Sequence, residues 1–288
     1  MPASSEMTSR MQLLLVSGLS GSGKGVAMRV LEDAGFYCVD NLPAALLEDT
    51  LQVLAGNGDY RVAISMDGRT RDAWRELPTL IERLREQMDV RLLFLEAKTE
   101  TLVRRYSETR RRHPFGSQQR ALAEAISWER DLLEPIARLG NRMDTSEIPA
   151  STLQHWVKDF IALEPAGLTL QFTSFGFKRG IPLDADLVFD VRCLPNPHYD
   201  PRLRDLTGRD QPVIEFLQRS EEVGEMLTDI QRHVEKWLPC FVRDHRSYLT
   251  VAIGCTGGQH RSVYLCEQLA GRLADRAQIQ LRHRELGG

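Results

Sequence analysis

One stretch limits the fold of this chain more than any other. It is Gly18, Leu19, Ser20, Gly21, Ser22, Gly23, Lys24 and Gly25, with an apolar run at residues 13–16 before it and a helix-period pattern after it. Glycines at this spacing let successive backbone N–H groups point toward one centre, and the start of the following helix adds a field that favours an anion. Lys24 adds a compact positive charge within reach of outer phosphates. The plainer alternative is a Gly/Ser turn. A strand, a phosphate-cradling loop and a helix in this order predict a parallel α/β unit.

One position departs from the G-x-x-x-x-G-K-[ST] pattern. Gly25 stands where a hydroxyl side chain would bind Mg²⁺. Phosphate cradling uses the backbone and the lysine and should survive, whereas metal placement and hydrolysis should weaken. Asp40, closing a second short apolar run at residues 36–39, is a candidate Mg²⁺ ligand or the cap of its own turn. Asp67, Gly68, Arg69 and Thr70 follow a third run at residues 61–66, at the sheet edge where α/β folds bind ligands, and read equally well as a turn. A further run at residues 90–95 and the helical patterns between these runs complete a βα alternation. Arg104, Arg105, Arg110, Arg111, Arg112 and His113 then form a basic cluster, either a clamp for phosphates or RNA backbone or a solvated helix face.

Residues 164–167 (Glu-Pro-Ala-Gly) read as a linker, dividing the chain into a short extension at 1–10, a nucleotide-binding domain at 11–164 and a smaller α/β domain at 168–288. Strands are expected at residues 168–172, 187–191, 248–253 and 279–281, with residues 194–208 as a long surface excursion. Cys255, Thr256, Gly257, Gly258, Gln259, His260, Arg261 and Ser262 again join an apolar run to a helix. Two glycines free the backbone, while Thr256, His260 and Arg261 add donors, so a phosphate site is expected. Cys255 and Arg261 also have the C-x-x-x-x-x-R spacing of cysteine-dependent phosphatases, although no general acid can be assigned from sequence. Lys178, Asp190 and His198, at neighbouring strand ends, are candidates to complete the pocket.

Composition bounds the partners. The 288 residues carry 37 basic and 40 acidic groups, a formal charge of −3, which argues against a general nucleic-acid coat but allows a local basic patch. Five scattered cysteines without a CxxC pair fit a reducing compartment, and no apolar run reaches membrane-spanning length, so a cytoplasmic location is expected.

Phe36-Tyr-Cys-Val-Asp-Asn-Leu-Pro43 together with Gly254-Cys-Thr-Gly-Gly-Gln-His-Arg-Ser262 closely resembles the RapZ family of RNase adapter proteins. The likeness runs through almost the whole chain after residue 10. It implies a P-loop kinase-like domain binding ATP or GTP, with residues 67–70 matching a guanine-nucleotide motif and hydrolysis weak at most. It implies a second domain similar to a phosphofructokinase subdomain, sensing glucosamine-6-phosphate and binding a small RNA that is presented to ribonuclease E. It also implies a homo-oligomer. RNA contacts are expected from Arg110, Arg111, Arg112, Arg276, Arg282 and Arg284. Gly25 departs from the family serine, and residues 281–288 lack the compact basic tail of the best-known adapter. A small-molecule kinase, or a metabolite sensor acting on a protein partner, remains the alternative.

Overall fold

The computed structural model describes residues 11–66, 73–109, 112–116, 121–162, 168–244, 246 and 248–286, with only the backbone at 73–76. Asp67, Gly68, Arg69, Thr70, Arg110 and Arg111 lie outside the described residues. Packing divides the chain into two compact units, residues 1–146 and 147–288.

In the first unit the elements run β1 (Gln12–Gly18), α1 (Lys24–Asp33), β2 (Tyr37–Val39), α2 (Leu47–Gly56), β3 (Arg61–Ser65), α3 (Ala73–Gln87), β4 (Asp89–Glu96), α4 (Thr99–Thr109), α5 (Leu122–Ala137) and β5 (Asn141–Asp144). The strands form one parallel sheet in the order β2-β3-β1-β4-β5. β1 is central, and its Leu13, Leu14, Leu15 and Val16 are all at most 2% exposed. Burial on both faces is why that strand reads as an unbroken apolar run. α1 turns Ala27, Met28, Val30 and Leu31 inward. α2 and β5 were not expected from the sequence. β5 is short and polar (Asn-Arg-Met-Asp), and becomes a strand because it pairs along Leu93–Glu96 of β4.

The second unit contains α6 (Ala150–Ala162), β6 (Thr169–Gly176), β7 (Leu187–Asp190), α7 (Gln211–Gln218), α8 (Glu221–Arg243), β8 (Tyr248–Cys255), α9 (Arg261–Leu273) and β9 (Gln278–His283). Its sheet is also parallel, ordered β7-β8-β6-β9. The expected class, two parallel α/β units, is the one found. By packing, α6 goes with the second unit.

Residues 194–208 run along the surface, as expected, with Tyr199 82% exposed, but the segment is anchored at several points. Leu194 and Leu203 are 5% and 6% exposed, Pro197 is buried, and the Gly208 N–H donates to the Gln259 carbonyl at 2.8 Å. A Cβ at Gly208 would meet the His260 carbonyl oxygen at 2.2 Å, so only glycine permits this approach. The proline-rich composition reflects a segment wrapped over the β8–α9 loop, with its few apolar residues used as anchors.

Candidate functional sites

The loop between β1 and α1 is held in shape from several directions. Gly18 has φ 136°, and a Cβ there would lie 2.0 Å from the Leu95 carbonyl oxygen. Gly23, at the helix start, has φ 110°. Both positions therefore require glycine. Lys24 Nζ donates back to the Gly18 and Leu19 carbonyls at 2.6 and 3.3 Å. Arg105 Nη1 donates to the Gly21 carbonyl at 3.1 Å and to Thr145 Oγ1 at 3.0 Å, while Thr145 Oγ1 donates to the Ser22 carbonyl at 2.8 Å. These bonds anchor the loop's carbonyls, and the Leu19 and Ser22 N–H groups are also engaged, with the Leu95 and Leu19 carbonyls at 3.0 and 3.1 Å.

Glu129 of α5 is the residue that sequence reading missed. It is fully buried, and its two oxygens accept from the Ser20 N–H at 2.9 Å and the Ser20 hydroxyl at 2.7 Å. His113 Nε2 lies 3.1 Å from the same carboxylate. Burial pushes the carboxyl upward, but the hydrogen bonds from His113 and Ser20 and the charge of Lys24 outweigh it and hold Glu129 below the usual range. The basic cluster is thus split. Arg105 and His113 turn inward to brace the loop, and Arg112 is exposed.

Gly25 differs from the other loop glycines. Its φ is not in the left-handed region, and a Cβ there would meet nothing within 4 Å. Neither space nor backbone demands glycine. Among the described residues no group of three or more His, Cys, Asp or Glu is placed to hold a metal, and Asp40 is exposed at the end of β2. Gly25 itself supplies no hydroxyl ligand for Mg²⁺. Gly25→Ser is expected to stabilise α1 by about 0.5 kcal/mol. It should also tighten Mg-nucleotide binding severalfold over metal-free nucleotide, measured by calorimetry with and without chelator. Equal affinities would show that residue 25 does not contact the metal.

A second site forms where β8 meets α9. A cavity of about 160 Å³ is lined by Lys178, Asn196, His198, Cys255, Thr256, Gly257, Gln259, His260 and Arg261. No carboxylate is in this lining. Arg261 is 3% exposed, and its Nη1 donates to the Arg192 and Leu194 carbonyls at 2.8 and 2.9 Å. Nη2 reaches Thr256 Oγ1 at 3.4 Å, while Nε is buried with no hydrogen-bond partner. One edge of the guanidinium is spent on backbone and the other is left for an acceptor. His260 Nε2 donates to the Leu203 carbonyl at 3.1 Å. Burial, with the His198 and Arg261 charges, holds His260 below its ordinary value against that bond.

Seven sequence candidates thus converge: Lys178, His198, Cys255, Thr256, Gly257, His260 and Arg261. Asn196 and Gln259 join them unanticipated. Asp190 is not in the lining. It faces Arg192 at 2.6 Å, whose hydrogen bonds lower its carboxyl pKa. Gly258, with φ 76°, sits behind the lining and sends its N–H to Cys255 Sγ at 3.2 Å.

The expected RNA contacts need one correction. Arg282 is 2% exposed, stacks over Trp156 at 5.2 Å and lies 3.8 Å from Asp184, with burial lowering its pKa to about 10. Alternation on β9 turns it into the unit's interior, where it cannot meet a polynucleotide. Arg276 is exposed and Arg284 partly buried.

Comparison with known proteins supplies the lineage. The RapZ-like N-terminal domain matches residues 11–164 and the RapZ C-terminal domain matches residues 168–287. A nucleotide-binding protein of Azoarcus sp. (strain BH72) is 60% identical over 276 residues, covering 95% of this chain and 94% of its own. A nucleotide-binding protein of Thiobacillus denitrificans is 57% identical over 277 residues, covering 96% and 100%. Among solved structures, a shikimate kinase from Bacteroides thetaiotaomicron overlaps 53% of this chain and 99% of that one at 14% identity. Its TM-score is 0.36, too slight a likeness to bear on function. Among the described residues no helix is long and apolar enough to cross a membrane. With both domains matched along nearly the full chain, this protein belongs to the RapZ family.

Proposed function

We propose that the chain binds a nucleoside triphosphate, ATP or GTP, at residues 18–25. A phosphorylated amino sugar, glucosamine-6-phosphate, occupies the Arg261 pocket and sets the protein's hold on a small RNA destined for ribonuclease E. The protein acts in the cytoplasm as a homo-oligomer. The observation that carries the reading is Arg261, whose buried Nε has no hydrogen-bond partner, in a lining with Lys178 and no carboxylate. A buried guanidinium with one edge open is costly unless an anion completes it. The names of the relatives support the nucleotide, and the surface placement of Arg112 and Arg276 supports an RNA contact.

The test is calorimetry with glucosamine-6-phosphate, glucosamine and inorganic phosphate, followed by RNA filter binding across a salt series. Binding should need the phosphate, and saturating sugar phosphate should weaken RNA binding at every salt concentration. Equal affinity for glucosamine would sink the phosphate site, and an unmoved RNA isotherm would sink the coupling.

A further inference from the structure

The pocket holds one group that binding alone leaves unused. Cys255 Sγ lies at the base of the lining, 3% exposed, 3.2 Å from the Gly258 N–H nitrogen and 3.2 Å from Ser262 Oγ. The Gly258 amide donates to the sulfur, and the Ser262 hydroxyl lies within hydrogen-bond distance of it. Arg261 projects from the first turn of α9 into the same cavity with its Nε unpartnered. Cysteine, five residues, arginine and serine thus fold so that serine and a loop amide face the sulfur while the arginine faces the space above it.

Resting on the reading of this pocket as a phosphate site, we propose that it is also a cysteine-dependent phosphomonoesterase, with Cys255 as nucleophile and small phosphomonoesters as substrates. Arg261 Nε and Nη2 hold two phosphate oxygens, and the loop amides take the third. The Cys255 thiol gives its proton to His198 as a sulfur electron pair forms the S–P bond and the P–O bond to the alcohol breaks. The departing oxygen takes its proton from His198. Of the two lining imidazoles, His260 is engaged with the Leu203 carbonyl, which leaves His198 at the mouth for this role. Water then attacks phosphorus and gives one proton back to His198. The S–P pair returns to sulfur, eased by Ser262, and inorganic phosphate leaves. Water is the only co-reactant, and no metal is needed.

The experiment measures phosphate release from glucosamine-6-phosphate and p-nitrophenyl phosphate by the full chain in chelator. Acid quench and mass spectrometry of the Cys255 peptide run in parallel. Wild type should release phosphate and show a phosphorylated Cys255. Cys255→Ser should bind glucosamine-6-phosphate but lose release by more than about 100-fold. Ser262→Ala should slow the second step and accumulate the adduct. His198→Ala should be slowed more on the sugar phosphate than on the nitrophenyl ester, whose leaving group needs less protonation. Wild type that binds the sugar phosphate yet releases nothing, or release undiminished in Cys255→Ser, overturns the esterase and leaves the binding site standing. No binding at all overturns both. If Cys255→Ser fails to fold, the wild-type quench still decides, because absence of the Cys255 adduct during turnover refutes the nucleophile.

Discussion

Glu129→Ala should lower the stability of the first unit by about 3–5 kcal/mol and, with it, nucleotide affinity. The carboxylate is fully buried and receives the Ser20 N–H, the Ser20 hydroxyl and His113. Truncation leaves those three groups unpaired in a dry site, where each orphan costs more than its bond returned. For a chain of this size the melting temperature should fall by about 10 °C. The sign with pH follows from the lowered carboxyl. Its contribution is complete above the unfolded value of about 4.3 and is lost as pH falls through the lower folded value. Glu129→Gln should keep part of the hydrogen bonding and remove that acid limb. Thermal melts of both variants between pH 3 and 7, with a nucleotide titration at neutral pH, provide the measurement. A variant melting within 2 °C of wild type would show that Ser20 is held by other groups.

Arg261→Lys should cost about 100-fold in affinity for a phosphorylated sugar while retaining the positive charge. The reason is geometry. Arg261 uses one edge for the Arg192 and Leu194 carbonyls and has the other open, a division no ammonium can copy. A hundredfold loss is about 2.7 kcal/mol, the scale of one buried charge-assisted pair. The same substitution releases residues 192–194, so cleavage by limited proteolysis should rise in the segment wrapped over the β8–α9 loop. Calorimetry with glucosamine-6-phosphate and a proteolysis time course test the two halves separately. Affinity retained within threefold would remove Arg261 from the phosphate's partners, and unchanged cleavage would remove it as the segment's anchor.

Both strand-to-helix loops were legible because their chemistry is local. Glycine spacing, a preceding apolar run and a following helix lie within a dozen residues, and backbone geometry follows from that order alone. Gly25 shows the limit of such reading. Sequence says that a hydroxyl is missing, whereas the open space around the position shows that nothing in the fold required its loss. β5 and the anchoring of residues 194–208 were not legible for the converse reason. A polar tetrapeptide becomes a strand through its partner β4, and a proline-rich surface loop becomes anchored through the Gly208–Gln259 contact.

The sequence by itself determined the parallel α/β class, the two glycine-bearing strand-to-helix loops and seven of the nine residues that line the second pocket. Tertiary structure alone decided which charges face ligand, interior or solvent. Ser20 and Glu129 are 109 positions apart, and Arg261 meets carbonyls 67 and 69 positions away. Arg282 and Arg276 are the same residue type near the same end of the chain, yet one is sealed against Trp156 and the other meets solvent. Backbone motifs depend on neighbours in the chain. Burial and pairing of a charge depend on neighbours in space, and these exist only once the sheets have formed.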